Sequence, residues 1–73
     1  MATDTFASAV SVSKSGVVRV RTSGHHVYEV PLNLIERWPD ALRWAAQIAR
    51  KSWATPLMVA DFLEAVAEEK GWI

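Results

Sequence analysis

The sequence has no cysteine, only two histidines, and as many acidic as basic residues, eight of each. Without cysteine the chain can form neither disulfides nor thiolate metal sites, so neither of these stabilises it. A formal net charge of zero excludes the broad positive field with which many proteins bind nucleic acid without sequence preference. No apolar run approaches the roughly 18 residues of a membrane-spanning helix, so we expect no contact with a membrane.

Groups that carry out catalysis are also scarce. The two histidines, His25 and His26, are adjacent, and neighbours in an extended segment point to opposite faces, so they favour a turn or strand-edge role over chelation of one ion. The serines lie mainly in predicted turns and on strand faces, which leaves no nucleophile, base and orienting acid to combine. We therefore expect a protein that is not an enzyme, with no cofactor and no metal.

The length of 73 residues predicts a single small domain, near the size at which one hydrophobic core only just outweighs the entropy of ordering the chain. Dense packing or oligomerisation are the remaining means of stabilisation, and we expect a homodimer. Hydrophobic residues make up 51% and charged residues 22% of the chain, as in folded globular proteins. The first residues lack the basic and apolar segments of a signal peptide, so the expected location is the cytoplasm.

An alternation of apolar and polar residues runs from residue 6 to residue 30, after a small, polar start at residues 1–5 that we expect to be frayed. Turn signals at residues 14–16 and 22–25 divide this region into an antiparallel β-meander, with the first strand less certain than the other two. The predicted inner face carries Val10, Val12, Val18, Val20, Tyr28 and Val30. The predicted outer face carries Ser11, Ser13, Arg19, Arg21 and Glu29.

Two helices are predicted after the sheet, at residues 39–52 and 55–70. Pro39 and Pro56 suit first helical positions, Asp40 complements the dipole of the first helix, and Thr55 is a typical N-cap residue. Gly71 is expected to end the second helix in a left-handed conformation, with Trp72 folding back onto it. Between sheet and helices, residues 32–37 leave room for a single turn. The predicted fold is α+β: a two- or three-stranded antiparallel β-meander packed on a two-helix hairpin.

The first helix has an apolar arc of roughly 200°, about twice that of an ordinary surface helix, so it needs two packing partners. Trp44 and Ile48 lie at one edge of this arc, where a small sheet and one helix do not have to cover them. Beside them lie the polar residues Arg43, Gln47 and Lys51. An apolar patch flanked by charge is typical of an interface, so these five residues are the predicted surface for a partner or for dimerisation; plain core packing is the alternative.

A nucleic-acid surface is the competing hypothesis. Arg19 and Arg21 face outwards on the predicted sheet, and Arg50 follows on the first helix, which together would make a nucleic-acid-associated transcriptional regulator. The two helices joined by a short turn also suggest a helix-turn-helix, but four acids and one base on the second helix give it a charge that phosphates repel, so the arginines are the better candidate surface. Solvated surface charge is the commoner explanation of such arginines.

A resemblance covers the last half of the chain. The segments Leu42-x-Trp44, Lys51-Ser52-Trp53-Ala54-Thr55-Pro56, Asp61-Phe62-Leu63 and Gly71-Trp72 resemble a pattern found in small phage- or prophage-encoded proteins of uncharacterised function. In that pattern a β-hairpin precedes two helices joined by a Lys-x-Trp-x-Thr turn. The resemblance implies a setting, an accessory or inhibitory protein that binds a bacterial host protein, and it carries over no functional residue. The predicted function is therefore a non-catalytic protein–protein interaction module.

Overall fold

The computed structural model describes residues 9–22 and 26–73. Three strands come first, β1 (Val10–Val12), β2 (Val17–Arg21) and β3 (Val27–Pro31), and a 3₁₀ turn (Leu32–Leu34) follows. Two helices complete the chain, α1 (Trp38–Ala49) and α2 (Pro56–Lys70). The strands form one antiparallel sheet in the order β1-β2-β3, which confirms the α+β prediction with three strands. The expectations for residues 1–8, and for the part of the second turn at 23–25, lie outside the described residues.

The sheet buries one face, as its alternation predicts. Val18 stands opposite Val12 on one side and Val30 on the other, and Val20 stands in the same way between Val10 and Tyr28. Val18, Val20 and Val30 are fully buried, whereas Arg19, between the first two on β2, is exposed. This is the pattern of an antiparallel sheet with one face on a core and the other in water.

The crossover from sheet to helix is a single turn, as predicted. The side chain of Asp40, in the first turn of α1, stabilises it. The amide of Ile35 donates to the carbonyl of Leu32 over 2.9 Å and closes the 3₁₀ turn. Asp40 Oδ2 then accepts from the amides of Glu36, at 3.0 Å, and Arg37, at 3.3 Å. These bonds to backbone N–H groups hold the pKa of Asp40 below its ordinary value, because they favour the charged carboxylate.

The predicted bounds of α1 are wrong at both ends. The helix begins at Trp38, one residue earlier than expected, and its last residue is Ala49 rather than residue 52. After it, Lys51 N–H donates to the Ile48 carbonyl over 3.0 Å, and Ala54 N–H donates to the Lys51 carbonyl over 3.1 Å. These bonds join residues three apart and form turns at residues 48–54, where the prediction continued the helix to residue 52.

Both ends of α2 form as predicted. Thr55 Oγ1 accepts from the amide of Met58 at 3.2 Å, which caps the first turn. At the other end Gly71 has φ 74°, and its amide donates to Glu68 while the amide of Trp72 donates to Ala67. This pair of bonds is the Schellman motif, in which a left-handed residue satisfies the last carbonyls of a helix.

The core lies between the sheet and the two helices. Its largest fully buried side chains come from both layers and from the crossover. They are Phe62, Ile35, Ile48, Val18, Val20, Val30 and Val66. In the described parts of the chain, no helix is long and apolar enough to cross a membrane.

Candidate functional site: an open aromatic edge

Helix α1 buries a narrower face than its sequence suggests. The buried residues are Ala41, Ala45 and Ile48, which lie on one face at the three- and four-residue spacing of a helix. Ile48 is 0% exposed, so the expectation that it stays uncovered beside Trp44 is wrong. Its side chain points into the core, and it cannot contact a partner without opening the fold.

The two helices differ in how closely they pack against the sheet. Helix α2 packs against β1 and β2, and α1 packs mainly against α2. Neighbouring strands lie about 4.8 Å apart and packed helices about 8 to 10 Å apart. If α2 lies below β1 and β2, one helix spacing therefore takes the axis of α1 to β3 or just beyond it. At that distance the outer flank of α1 would lie past the last strand of the sheet.

An open cleft lies along that flank. It has a volume of about 500 Å³ and is lined by Tyr28, Leu34, Arg43, Trp44 and Gln47. Trp44 is half-buried and packs against the core, while Leu34 is 53% exposed. Arg43 and Gln47 are exposed on the next ridge of α1. We call these five residues the aromatic edge.

A second cleft continues the aromatic edge towards the other end of β3. Its volume is about 320 Å³, and it is lined by Thr22, His26, Val27, Tyr28 and Trp53. The rings of Tyr28 and Trp53 are 5.6 Å apart at their centroids, and Lys51 Nζ lies 5.5 Å from the centroid of Tyr28, a distance typical of a cation–π contact. Tyr28 thus forms the common wall of both clefts.

The structure brings most of the predicted partner residues together. Trp44, Arg43 and Gln47 line one cleft, and Lys51 reaches the shared wall through Tyr28. Ile48 is excluded by its burial. Sequence reasoning missed the contributions of Tyr28 and Leu34, although the position of Tyr28 on the last strand of a meander already indicates a sheet edge.

The arginines of the nucleic-acid hypothesis are not assembled into one surface. Arg19 Nε lies 3.2 Å from Glu29 Oε2, so part of its charge is neutralised by its cross-strand neighbour. Arg21 is exposed on the same outer sheet face, whereas Arg50 follows α1 in the helical layer. The described residues therefore offer no continuous basic track.

A further apolar surface lies where the N-terminal end of α1 meets the end of α2. The rings of Trp38 and Trp72 are 4.8 Å apart, and Leu42, one turn along α1 from Trp38, is 55% exposed. Ile73 follows Trp72 and is also exposed. We call these four residues the terminal patch. Trp38 is 42% exposed, and its ring is tilted by 38° against that of Trp72.

Metal ligands do not cluster in residues 9–22 and 26–73, where no group of three or more acidic residues or histidines could hold an ion. His26 is exposed at the rim of the second cleft, and its backbone carbonyl accepts from both the hydroxyl and the amide of Thr22. Its position at a strand end agrees with the turn role that its neighbour His25, outside the described residues, was expected to share.

Comparisons with protein-family models, with curated proteins and with solved structures found no match to this chain. The resemblance to small phage-encoded proteins therefore stays a prediction made from the residues that carry it. The aromatic edge must be interpreted from its own chemistry.

Proposed function

We propose that this protein is a non-catalytic protein-binding module that contacts its partner through the aromatic edge. The observation that carries this proposal is the half-buried Trp44 in an open cleft, beside the exposed Leu34 and two exposed polar residues, Arg43 and Gln47. A tryptophan already held by the core loses little conformational entropy on binding, and Trp and Arg are the residues enriched in interface hot spots. The uncovered flank of α1 gives a partner access to both.

The class of partner comes from the resemblance. Small phage-encoded proteins with the pattern of residues 42–72 imply an accessory or inhibitory protein that binds a bacterial host protein, and we adopt that partner class as part of the proposal. The bacterial or host-cell cytoplasm is the compartment in which such a complex forms. The charge at this surface is consistent with that class: Arg43 in the aromatic edge and Lys51 beside it favour a partner with an acidic group near the cleft.

Nucleic acid is the less favoured partner. Arg19 is engaged by Glu29, and Arg50 lies in the other layer of the molecule, so few phosphates could be contacted at once. A nucleic-acid-associated regulator would show salt-dependent retention on heparin, and we expect none at physiological ionic strength. Retention that falls when Arg19 and Arg21 are replaced would contradict the choice of a protein partner.

The test of the proposal is affinity capture from a bacterial lysate, treated with nuclease, followed by titration of the purified captured protein. Arg43→Glu reverses a charge on the aromatic edge, and Arg50→Glu makes the same change on the same helix away from the cleft. We expect Arg43→Glu to weaken binding by at least about tenfold and Arg50→Glu to leave it unchanged. Equal binding by both variants and by the original chain would rule out the aromatic edge as the contact surface.

A matched pair of tryptophan variants shows which of the two apolar surfaces binds the partner. Trp44→Ala removes the anchor of the aromatic edge, and Trp38→Ala removes an aromatic side chain of the terminal patch. Each variant is first checked for cooperative unfolding by circular dichroism. We expect the folded Trp44→Ala chain to lose the partner and the Trp38→Ala chain to keep it. The reverse result would move the proposed function to the terminal patch.

A further inference from the structure

The outer edge of β3 presents unpaired backbone groups. Thr22 N–H donates to the His26 carbonyl, and Leu32 N–H donates to the Gly16 carbonyl. In an antiparallel ladder alternate residues bond to the same neighbour, so Tyr28 and Val30 direct both their N–H and C=O groups towards β2, as do the His26 carbonyl and the Leu32 N–H. The groups of Val27 and Glu29 therefore point away from the sheet. Among the described residues, nothing donates to or accepts from these outward-facing groups.

The two clefts lie beneath the position that a fourth strand would occupy. Both are bounded by Tyr28, one towards residues 26 and 27 and the other towards Leu34 and α1. Inward-facing side chains of an added strand would repeat every two residues, or about 6.6 to 6.8 Å, and would lie opposite residues 26, 28 and 30. The two that flank Tyr28, opposite residues 26 and 30, would enter the two clefts. Helix α1, whose Trp44 and Gln47 line a cleft with Tyr28 of β3, would supply the floor that such a strand packs against.

We propose that the partner binds by adding an extended segment of its own chain to β3 as a fourth strand. This inference rests on the proposed function and specifies how the same site is used. The backbone of the segment pairs with Val27 and Glu29, and apolar side chains at alternate positions fill the two clefts. A carboxylate of the segment pairs with Arg43 or Lys51, the exposed cations on this side of α1.

A second copy of this chain does not fit the same place. Antiparallel pairing of two β3 strands about a two-fold axis forms one continuous sheet with both helical layers on the same side. The paired strands would be about 4.8 Å apart, and each α1 already lines a cleft with Tyr28 of β3. The two α1 helices, which need about 8 to 10 Å between their axes, would then be crowded below the paired strands. A segment without a helix of its own at that position has no such conflict.

The probe for this inference is a library of randomised linear peptides of about twelve residues, selected against the full chain. We expect the selected peptides to alternate apolar and polar residues and to include an acidic residue. On binding, the amide protons of Val27 and Glu29 should become protected from solvent exchange by at least about tenfold, while the amides of Tyr28 and Val30, already bonded to β2, should change little.

A matched pair of variants tests the backbone bond itself. Val27→Pro removes one outward N–H and leaves the bonds to β2 in place, whereas Val27→Thr keeps the N–H and has a similar shape. We expect Val27→Pro to weaken the selected peptides by at least about tenfold and Val27→Thr to leave their affinity unchanged. If Val27→Pro fails to fold, the exchange of the Glu29 amide in the original chain decides the question.

Any one of four results would overturn strand addition. The selection yields no binding peptide, the peptides bind without protecting the amides of Val27 and Glu29, or the chain dimerises through this edge and Val27→Pro makes it monomeric. A protein partner that is lost with Arg43→Glu but kept with Val27→Pro would also overturn it, while leaving the proposed function in place. If the proposed function itself is wrong, Arg43→Glu will leave the affinity for the partner unchanged.

Discussion

The two helices start alike, each with a proline in its first turn, yet they have different surroundings. Helix α2 packs on the sheet, has the side-chain cap of Thr55 at one end and the Schellman motif of Gly71 at the other, and buries Phe62. Helix α1 packs beside α2, and its apolar arc is only partly covered. On one side of its buried row the half-buried Trp44 lines the cleft, and on the other side Leu42 is exposed.

The contrast indicates that α2 mainly stabilises the fold and that α1 also provides a binding surface. A domain of this size has a small free energy of unfolding. We expect α2, with its capped ends and its buried contacts with the sheet, to contribute much of it. Helix α1 contributes a narrow row to the core and keeps apolar side chains on both margins, where they are available for contacts outside the chain. Substitutions along the two helices should therefore separate loss of stability from loss of binding.

The largest loss of stability is expected for Phe62→Ala on α2. Phe62 is fully buried between the sheet and the helices, and truncation of a buried phenylalanine costs about 3 to 5 kcal/mol. Because a core of this size supplies a net stability of about the same amount, the variant should be largely unfolded at room temperature. Urea unfolding followed by circular dichroism measures the effect, and a loss below about 1 kcal/mol would contradict the central place of α2.

Gly71→Ala tests the end of α2. The left-handed φ of 74° costs a residue with a side chain about 1 to 2 kcal/mol relative to glycine, although a Cβ at this position would meet no atom within 4 Å. We therefore expect a loss of that size that comes from the backbone alone. Lys70→Ala, the preceding position, is the matched control and should change the free energy of unfolding by less than about 0.5 kcal/mol.

Thr55→Ala tests the start of α2. The substitution leaves the amide of Met58 without the hydroxyl that caps it at 3.2 Å, which should lower the stability by about 1 kcal/mol. Thr55→Ser keeps the oxygen and should retain most of that stability. If serine and alanine destabilise equally, the hydroxyl is not what stabilises this turn, and the methyl group of Thr55 must be considered instead.

Asp40→Asn tests the entry to α1 through its pH dependence. The amides of Glu36 and Arg37 lower the pKa of Asp40 in the folded chain from its ordinary value of 3.8. The unfolded state therefore takes up a proton first as pH falls, so the stability that Asp40 provides is present above that ordinary value and is lost as pH falls through the lower, folded pKa. Urea unfolding between neutral pH and about pH 3 should show a weaker acid dependence for Asp40→Asn; identical slopes would contradict this.

The smallest effect on stability is expected for Leu42→Glu. Leu42 is 55% exposed on α1, so the free energy of unfolding of the monomer should change by less than about 0.5 kcal/mol. The same variant tests the predicted homodimer, because the terminal patch is the apolar surface left free by the aromatic edge. Light scattering after gel filtration should show a dimer for the original chain. A monomer at all concentrations would remove that prediction, and a Leu42→Glu chain that stays dimeric would exclude the terminal patch as its interface.

The local features of the fold could be predicted from the sequence because each depends on neighbours along the chain. Alternation placed Val18, Val20 and Val30 on one face, and the capping chemistry of Thr55 and Gly71 fixed the bounds of α2. These are period-two and helix-end rules, which act within a few residues. The single turn at residues 32–34 followed in the same way from the nearby prolines.

The candidate site was only half predictable, because helical periodicity shows which residues share a face but not what covers that face. The apolar arc of α1 was correct as a pattern, and its division between core and surface depended on where α1 lies relative to β3. That tertiary position buried Ile48, left Leu42 exposed, and made Tyr28 part of the site. Asp40 was predicted to favour the helix dipole, and its bonds back to the amides of Glu36 and Arg37 became visible only with the crossover in place.

Pro31 gives the outer edge of β3 a further property. As the last residue of the strand it has no N–H to donate, so the free edge ends after the two donors of Val27 and Glu29. A long, uncharged edge is a template on which identical chains stack into aggregates, and proline and charge are the means by which natural edges avoid this. The edge thus has room for one short segment, while Pro31 and the charge of Glu29 disfavour edge-to-edge stacking of identical chains.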